Sequence, residues 1–340
     1  MNDAAIKIIA GGIGNSIQDS GRFGFRHMGI TVSGCLDPFL ARCANTLVGN
    51  APDCACIEIR AVAPTLQMRH GRVRLALAGQ IGATLRRVDG TVAEVPAWTS
   101  FTLDPQDVLE IAPLTGGSAY LAVSGGIASP LQLGSRSTYQ RALIGGIDGR
   151  PIVTGNVLPC SAQAHRQYRE FQAAAWSPGA GPLRVMLGPQ AGHFKPEAVQ
   201  VFLSSEYLVT PQIDRMGARL EGPALAHLRP ESADIVSDGV TPGAIQVPGN
   251  GQPIILLADC QTVGGYPKIA TVISADLPRL GQIRPGETFR FATIGAAEAR
   301  QALLEREAQW RAWADRISPI VPDMTALYNE LHDAWIPGDS

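Results

Sequence analysis

GAIQVPGNGQPIILLADCQTVGGYPKIA, residues 243–270, is the stretch on which the reading of this chain turns. At its centre, Pro253 to Ala258 is an apolar run with the length of one strand buried on both faces. Uniform apolarity without alternation fits a short buried helix as well. The run stops at Asp259, and the polar cluster Asp259, Gln261, Thr262 follows, then Gly264-Gly265-Tyr266-Pro267-Lys268. Paired glycines let a backbone or ligand approach closely, and Pro267 biases Tyr266 toward an extended conformation. Polar side chains leaving a rigid strand onto a glycine-bent turn make a candidate site; an ordinary strand and loop is the competing reading.

Working outward, the residues before this stretch read as short strands separated by turns: Ala5 to Ala10, Val73 to Ala78, Ala83 to Val88, Ser100 to Leu103 and Val108 to Ala112. Their close spacing without intervening helical periods predicts an antiparallel barrel or sandwich. Asp37 as N-cap with Pro38 at the first helical position predicts a helix from Pro38 to about Val48. Tyr120-Leu121-Ala122-Val123 repeats the theme of a strand running into paired glycines, Gly125-Gly126. Gly134-Ser135-Arg136-Ser137-Thr138 carries hydroxyls and a guanidinium suited to an anion, or to a self-satisfied loop network.

A polar, then Ala-rich, then Gly/Pro-rich segment marks a boundary, after which Leu183 to Leu187 restarts with a strand and a helix begins near Pro196. Gln212 to Gly222 echoes Gln18 to Gly24, and Gly239 to Gly243 echoes Gly29 to Gly34. A diverged duplication, and two similar β-rich domains, are expected. Ile283 to Phe291 reads as a tight turn and a last strand. Ala296 to about Ile317 reads as a helix with Leu303, Leu304, Trp310 and Trp313 on its apolar side, capping a barrel or packing on a partner. A loose tail follows. The organisation expected is a first β domain over 1–165, a linker over 166–182, a second β domain over 183–295, and a helix with tail over 296–340.

Composition excludes several functions. At 340 residues, two domains are the natural expectation, and a net charge of −2 points to neither nucleic acid nor an anionic membrane as partner. No apolar run approaches the roughly 20 residues of a membrane helix, and the N-terminus lacks a signal-peptide pattern, so a cytoplasmic protein is expected. Six cysteines are scattered except for Cys54-Ala55-Cys56, and no ligand set for a metal completes that pair. Cys260 has neighbours, Asp259 and Gln261, that would not lower a thiol pKa, so it is not assigned as a nucleophile. Lysine is confined to Lys7, Lys195 and Lys268. There is accordingly no Walker phosphate loop, and no lysine sits between methionines as a biotin attachment site requires.

Ser16-Ile17-Gln18-Asp19 to Gly24, Tyr120 to Gly126, Asp214-Arg215-Met216-Gly217, Gly243-x-Ile245-Gln246-Val247-Pro248, and Gln261-Thr262-x-Gly264-Gly265-Tyr266-Pro267 follow one another in order. Together they resemble the biotin-dependent carboxyltransferase family, also called allophanate hydrolase subunit 2 or KipA-like proteins, from about Ile6 to the terminal helix. The resemblance implies a mainly β chain of two cyclophilin-like β-barrel domains with a few short helices and a C-terminal helix. It implies a KipI-like partner protein. Members of the family work in ATP-dependent 5-oxoprolinase complexes together with that KipI-like protein and a LamB/YcsF-like protein, opening 5-oxoproline to L-glutamate. Others transfer carboxyl from carboxybiotin to urea, and a KipA-type member counters a kinase inhibitor. The 5-oxoprolinase setting is the expected one, with ATP used through the complex and no biotin attached to this chain.

The expected substrate is a small polar cyclic amide, which the Arg, Gln and Thr cluster suits better than an apolar ligand. Asp259, Lys268 and Tyr266 are the candidate catalytic residues: Lys268 as base or electrostatic stabiliser unless it is a solvated surface lysine, Asp259 as base unless it merely pairs with Arg215. Arg215 is the candidate anion clamp, with Gln246, Gln261, Thr262, Gly264 and Gly265 beside it. Gln18, Asp19, Arg22 and Arg136 are further candidates from the first domain.

Overall fold

The computed structural model describes residues 3–161, 170–177 and 179–321. Part of the expected linker, and the tail after 321, lie outside these residues. The first half is a sandwich. One antiparallel sheet of six strands runs in the order Val157–Ser161, Asp3–Ala10, Thr65–His70, Val108–Ile111, Gly82–Arg86, Val92–Pro96. It faces a sheet of five, Ser16–Gln18, Cys56–Ile59, Ala119–Val123, Val73–Ala78, Ser100–Leu103.

Ile6, Ile8, Ile57, Leu66, Met68, Leu75, Leu77 and Leu121 fill the space between the sheets. Alternation shows where a strand has one wet face, as in Thr65–His70. It vanishes in Val73–Ala78 and Ala119–Val123, because helix α1 (Pro38–Leu47) covers the outer face of the five-stranded sheet. Leu121 and Val123 point into the sandwich while Tyr120 and Ala122 meet α1. Asp37 caps α1 by accepting from Leu40 N at 3.1 Å.

The second half is built on one sheet of eight strands, Thr288–Phe289, Tyr207–Ile213, Gly217–Glu221, Ile254–Leu256, Ala244–Gln246, Lys268–Val272, Leu183–Leu187, Phe291–Thr293, with a separate two-stranded pair, Asp238–Gly239 and Val263–Gly264. The apolar run of the opening stretch is therefore a strand, not a helix, shorter at both ends than its apolar length. Phe289 and Phe291 lie on opposite edges of this sheet though only Arg290 separates them, so the sheet curls into a nearly closed barrel. The single last strand expected from sequence is thus two pieces. Helix α2 (Pro196–Ser204) plugs the barrel, its Phe202 ring stacked on Phe291 with centroids 4.5 Å apart.

After the short helix α3 (Leu277–Leu280), the terminal helix α4 (Ala296–Ala314) straddles both halves. Its first turns pack Ala302 and Leu303 on Ile273 and Ala275, while Trp310 and Trp313 reach the α1 cluster. Leu304, expected on the apolar side, is 54% exposed. Arg42 of α1 grips Glu307 through two bonds of 2.7 and 2.9 Å.

Candidate active site

The halves meet through buried polar groups. Arg215 sits at the tip of a hairpin that Asp214 closes, its Oδ1 accepting from the N–H of Met216 and Gly217. The chain leaving Ile254–Leu256 is laid against that tip by Leu257 N to Met216 O (2.9 Å) and Asp259 N to Arg215 O (2.8 Å). The guanidinium then donates to both oxygens of Asp259 at 2.9 and 3.1 Å, to the carbonyl of Gly34 at 2.7 Å, and to Glu58 of the first half.

Burial alone would weaken the Arg215 charge, but Glu58 and Asp259 outweigh it and hold its pKa above the ordinary value. Glu58, fully buried in the middle of Cys56–Ile59, also accepts from the Tyr120 hydroxyl at 2.7 Å and from Leu36 N at 2.8 Å. Crossing the other way, Arg26 donates to the carbonyls of Val240 and Gln261, and Thr31 Oγ1 to Ala258 O at 2.9 Å.

A cleft of ≈ 870 Å³ opens over this junction, with Gln18, Arg60, Tyr139, Arg141, Asp214, Arg215, Asp259 and Arg284 in its wall. Tyr139 has its phenol pKa raised, first by burial and then by the charge of Asp259, against the lowering pull of Arg141. The phenol therefore stays protonated near neutral pH and is available as a hydrogen-bond donor. Each Asp259 oxygen takes one bond from Arg215, which leaves lone-pair capacity for a further donor. Arg215, with four of its five N–H groups engaged, retains one.

The candidate residues read from sequence fall in three places. Gln18, Arg215 and Asp259 line the cleft, and the pairing of Asp259 with Arg215 is present. Lys268, Gln246, Gln261, Thr262, Gly264, Gly265 and Tyr266 do not line it. Lys268 is buried and donates to Asp238 Oδ2 at 2.8 Å, and Gln261 Nε2 reaches Gln246 Oε1 at 3.3 Å. Thr262 and Gly265 hold a small flap by accepting from Val240 N and Ile235 N, and Gly264 pairs with Asp238. A Cβ on Gly264 would come within 2.5 Å of Gln246 Nε2, so a side chain there would displace the Gln246 amide. Tyr266 is 42% exposed.

The third place is the loop Gly134 to Thr138, where the anion held is internal: it is the carboxylate of Asp19. Its oxygens accept from Ser135 Oγ and Ser137 Oγ, both at 2.6 Å, from Gly21 N, and from the backbone N of Arg136. Arg22, with no exposed surface, donates to Gln132 O and Ser137 O; burial lowers its pKa against the charges of Asp19 and Asp259.

Glu58, Arg60, Tyr139, Arg141 and Asp214 were missed as site residues. Glu58 had a signal, a lone carboxylate inside the apolar Cys56-Ile57-x-Ile59, which asks for a buried cation. Tyr139 and Arg141 had none beyond lying next to the glycine-rich loop. Burial pushes the Cys260 thiol up to about 11, in keeping with its exclusion as a nucleophile.

The carboxyltransferase domain family, subdomains A and B, matches residues 28–293. The chain belongs to this family. It is 35% identical to the 5-oxoprolinase C subunit of Escherichia coli (strain K12), over 92% of this chain and 98% of that one. It is also 35% identical to the Haemophilus influenzae protein of that name, over 91% and 96%. The crystal structure of the Kluyveromyces lactis urea amidolyase superposes with a TM-score of 0.80 at 28% identity, covering 92% of this chain and 20% of that one. The family's fold is thus the mainly β one described above. Among the described residues no helix is long and apolar enough to cross a membrane.

Proposed function

We propose that this protein is the C subunit of an ATP-dependent 5-oxoprolinase, a cytoplasmic complex that opens 5-oxoproline to L-glutamate with a KipI-like protein and a LamB/YcsF-like protein as its other two components. The observation that carries the reading is the correspondence along nearly the whole of both chains with the two bacterial proteins of that name. Against the urea amidolyase the likeness spans only a fifth of the longer protein.

The cleft chemistry suits a lactam. Opening the ring needs the carbonyl made electrophilic, water added at carbon, the C–N bond broken and a proton delivered to nitrogen. The Tyr139 hydroxyl and the remaining N–H of Arg215 are donors for an oxygen gaining negative charge, and Asp259 is an acceptor for a proton from water. ATP is the co-substrate of the complex, and no site for it is assigned to this chain.

The test is a coupled assay of the reconstituted three-protein complex. Glutamate should form from 5-oxoproline only with ATP present. Carboxylation of urea from bicarbonate, together with a biotin carrier, would instead favour the carboxyltransferase reading that the K. lactis likeness supports. Neither activity, with tight binding to the KipI-like chain alone, would favour a regulator.

A further inference from the structure

The guanidinium groups around the cleft are unevenly committed. Arg215 is engaged as described, and Arg284 is held by Glu287 at 2.8 Å and by the carbonyl of Thr115 at 2.5 Å. The side chains of Arg60 and Arg141 line the same wall and have no hydrogen bond or ion pair among the described residues. Of the carboxylates in the wall, Asp259 is taken by Arg215, and Asp214 spends its Oδ1 on the hairpin that carries Arg215.

Both free guanidiniums stand on fixed backbone. Arg60 directly follows the strand Cys56–Ile59, its N–H bonded to Asn15 Oδ1 at 3.1 Å. Arg141 sits in a tight turn closed by reciprocal Tyr139–Ile144 backbone bonds of 2.8 and 3.2 Å. Behind that turn Gly145 and Gly149 have φ of +72° and +67°, and a Cβ on either would come within 2.0 Å of neighbouring backbone. A planar fork matches a carboxylate in bidentate fashion and loses less freedom per hydrogen bond formed than a lysine ammonium does.

We propose that Arg141 and Arg60 recognise the carboxylate of the substrate, making the cleft selective for an anionic cyclic amide over a neutral one. This rests on the 5-oxoprolinase reading and deepens it: 5-oxoproline carries a carboxylate beside its lactam, whereas urea and 2-pyrrolidinone carry none. A phosphate of the nucleotide is the other anion such a pair can hold, and the test separates the two.

The experiment is steady-state kinetics of the reconstituted complex with Arg141→Gln, Arg60→Gln and Arg141→Lys in this chain, varying 5-oxoproline and ATP independently, with 2-pyrrolidinone as the neutral probe. Loss of a charge-assisted pair should raise the KM for 5-oxoproline about 10- to 100-fold. The KM for ATP should not move, and the preference for 5-oxoproline over 2-pyrrolidinone should fall by the same factor. Arg141→Lys should recover part of the loss, because charge remains while the fork is gone. A raised KM for ATP with that for 5-oxoproline unchanged would overturn the proposal in favour of phosphate, and no change in either would overturn it outright. A wild-type complex inert toward 5-oxoproline fails the functional reading itself. An active wild type with unaffected variants fails only the assignment of these arginines. Thermal melts of the variants, in which solvent-reached side chains without partners change, should match the wild type.

Discussion

Two sets of ion pairs, Arg215 with Glu58 and Asp259, and Lys268 with Asp238, differ in everything that decides their worth. The first joins the two halves, with side-chain exposures of 15% for Arg215, 0% for Glu58 and 9% for Asp259. The second stays within one half, and although Lys268 is 6% exposed, Asp238 is 52% exposed. Water screens the second and is excluded from the first, so the first is costly to break and the second is not. Arg215 and Asp259 of the buried set also line the cleft, so residues that hold the halves together border the candidate site.

The largest effect should come from stranding the buried carboxylates. Arg215→Ala leaves Glu58 and Asp259 uncompensated and should cost about 3–5 kcal/mol in urea unfolding. A loss below ~1 kcal/mol would put that pair in the same class as Lys268–Asp238. Next comes Gly145→Ala, which forces a Cβ toward Ser137 O at a φ of +72°. It should destabilise by about 1–3 kcal/mol and displace the Tyr139–Arg141 turn, lowering kcat/KM more than the melting temperature alone explains.

Asp37 sharpens the comparison from the side of pH. Burial raises its carboxyl pKa to about 7, against bonds from Leu40 N and from Gln282 of the second half. Its folded pKa lies above that of the unfolded chain, so the folded protein binds the extra proton between about pH 4 and 7. Stability from this group should therefore fall as pH rises through that window, with a slope of at most about 1.4 kcal/mol per pH unit. Asp37→Asn, which keeps an N-cap side chain, should flatten the profile; a profile identical to wild type would show that folding leaves the Asp37 pKa unchanged. The smallest effect belongs to Lys268→Met, within about 1 kcal/mol by the same unfolding assay.

Much of the fold was legible because it rests on local chemistry. Asp37-Pro38 announces α1, Val73–Ala78 and Leu183–Leu187 declare themselves by apolarity, and Pro196 opens α2. What was not legible depends on pairing across the chain. Phe289 and Phe291 belong to opposite edges of one sheet only because the barrel nearly closes, and Leu304 is exposed because α4 turns its two ends toward different halves. The site divides the same way. The reach of Arg215 to Asp259 follows from two motifs already marked as polar and glycine-bent. The separation of Lys268 from the cleft follows from the strand Lys268–Val272 running back through the barrel, which no spacing reveals.

The most direct test is the 5-oxoproline turnover of the reconstituted complex carrying Tyr139→Phe compared with Lys268→Met. With chemistry at the junction of the halves, losing the Tyr139 hydroxyl should lower kcat about 100-fold, while Lys268→Met should stay within a few-fold of wild type. The reverse order, Lys268→Met inactive and Tyr139→Phe unimpaired, would contradict the placement of the active site in the cleft.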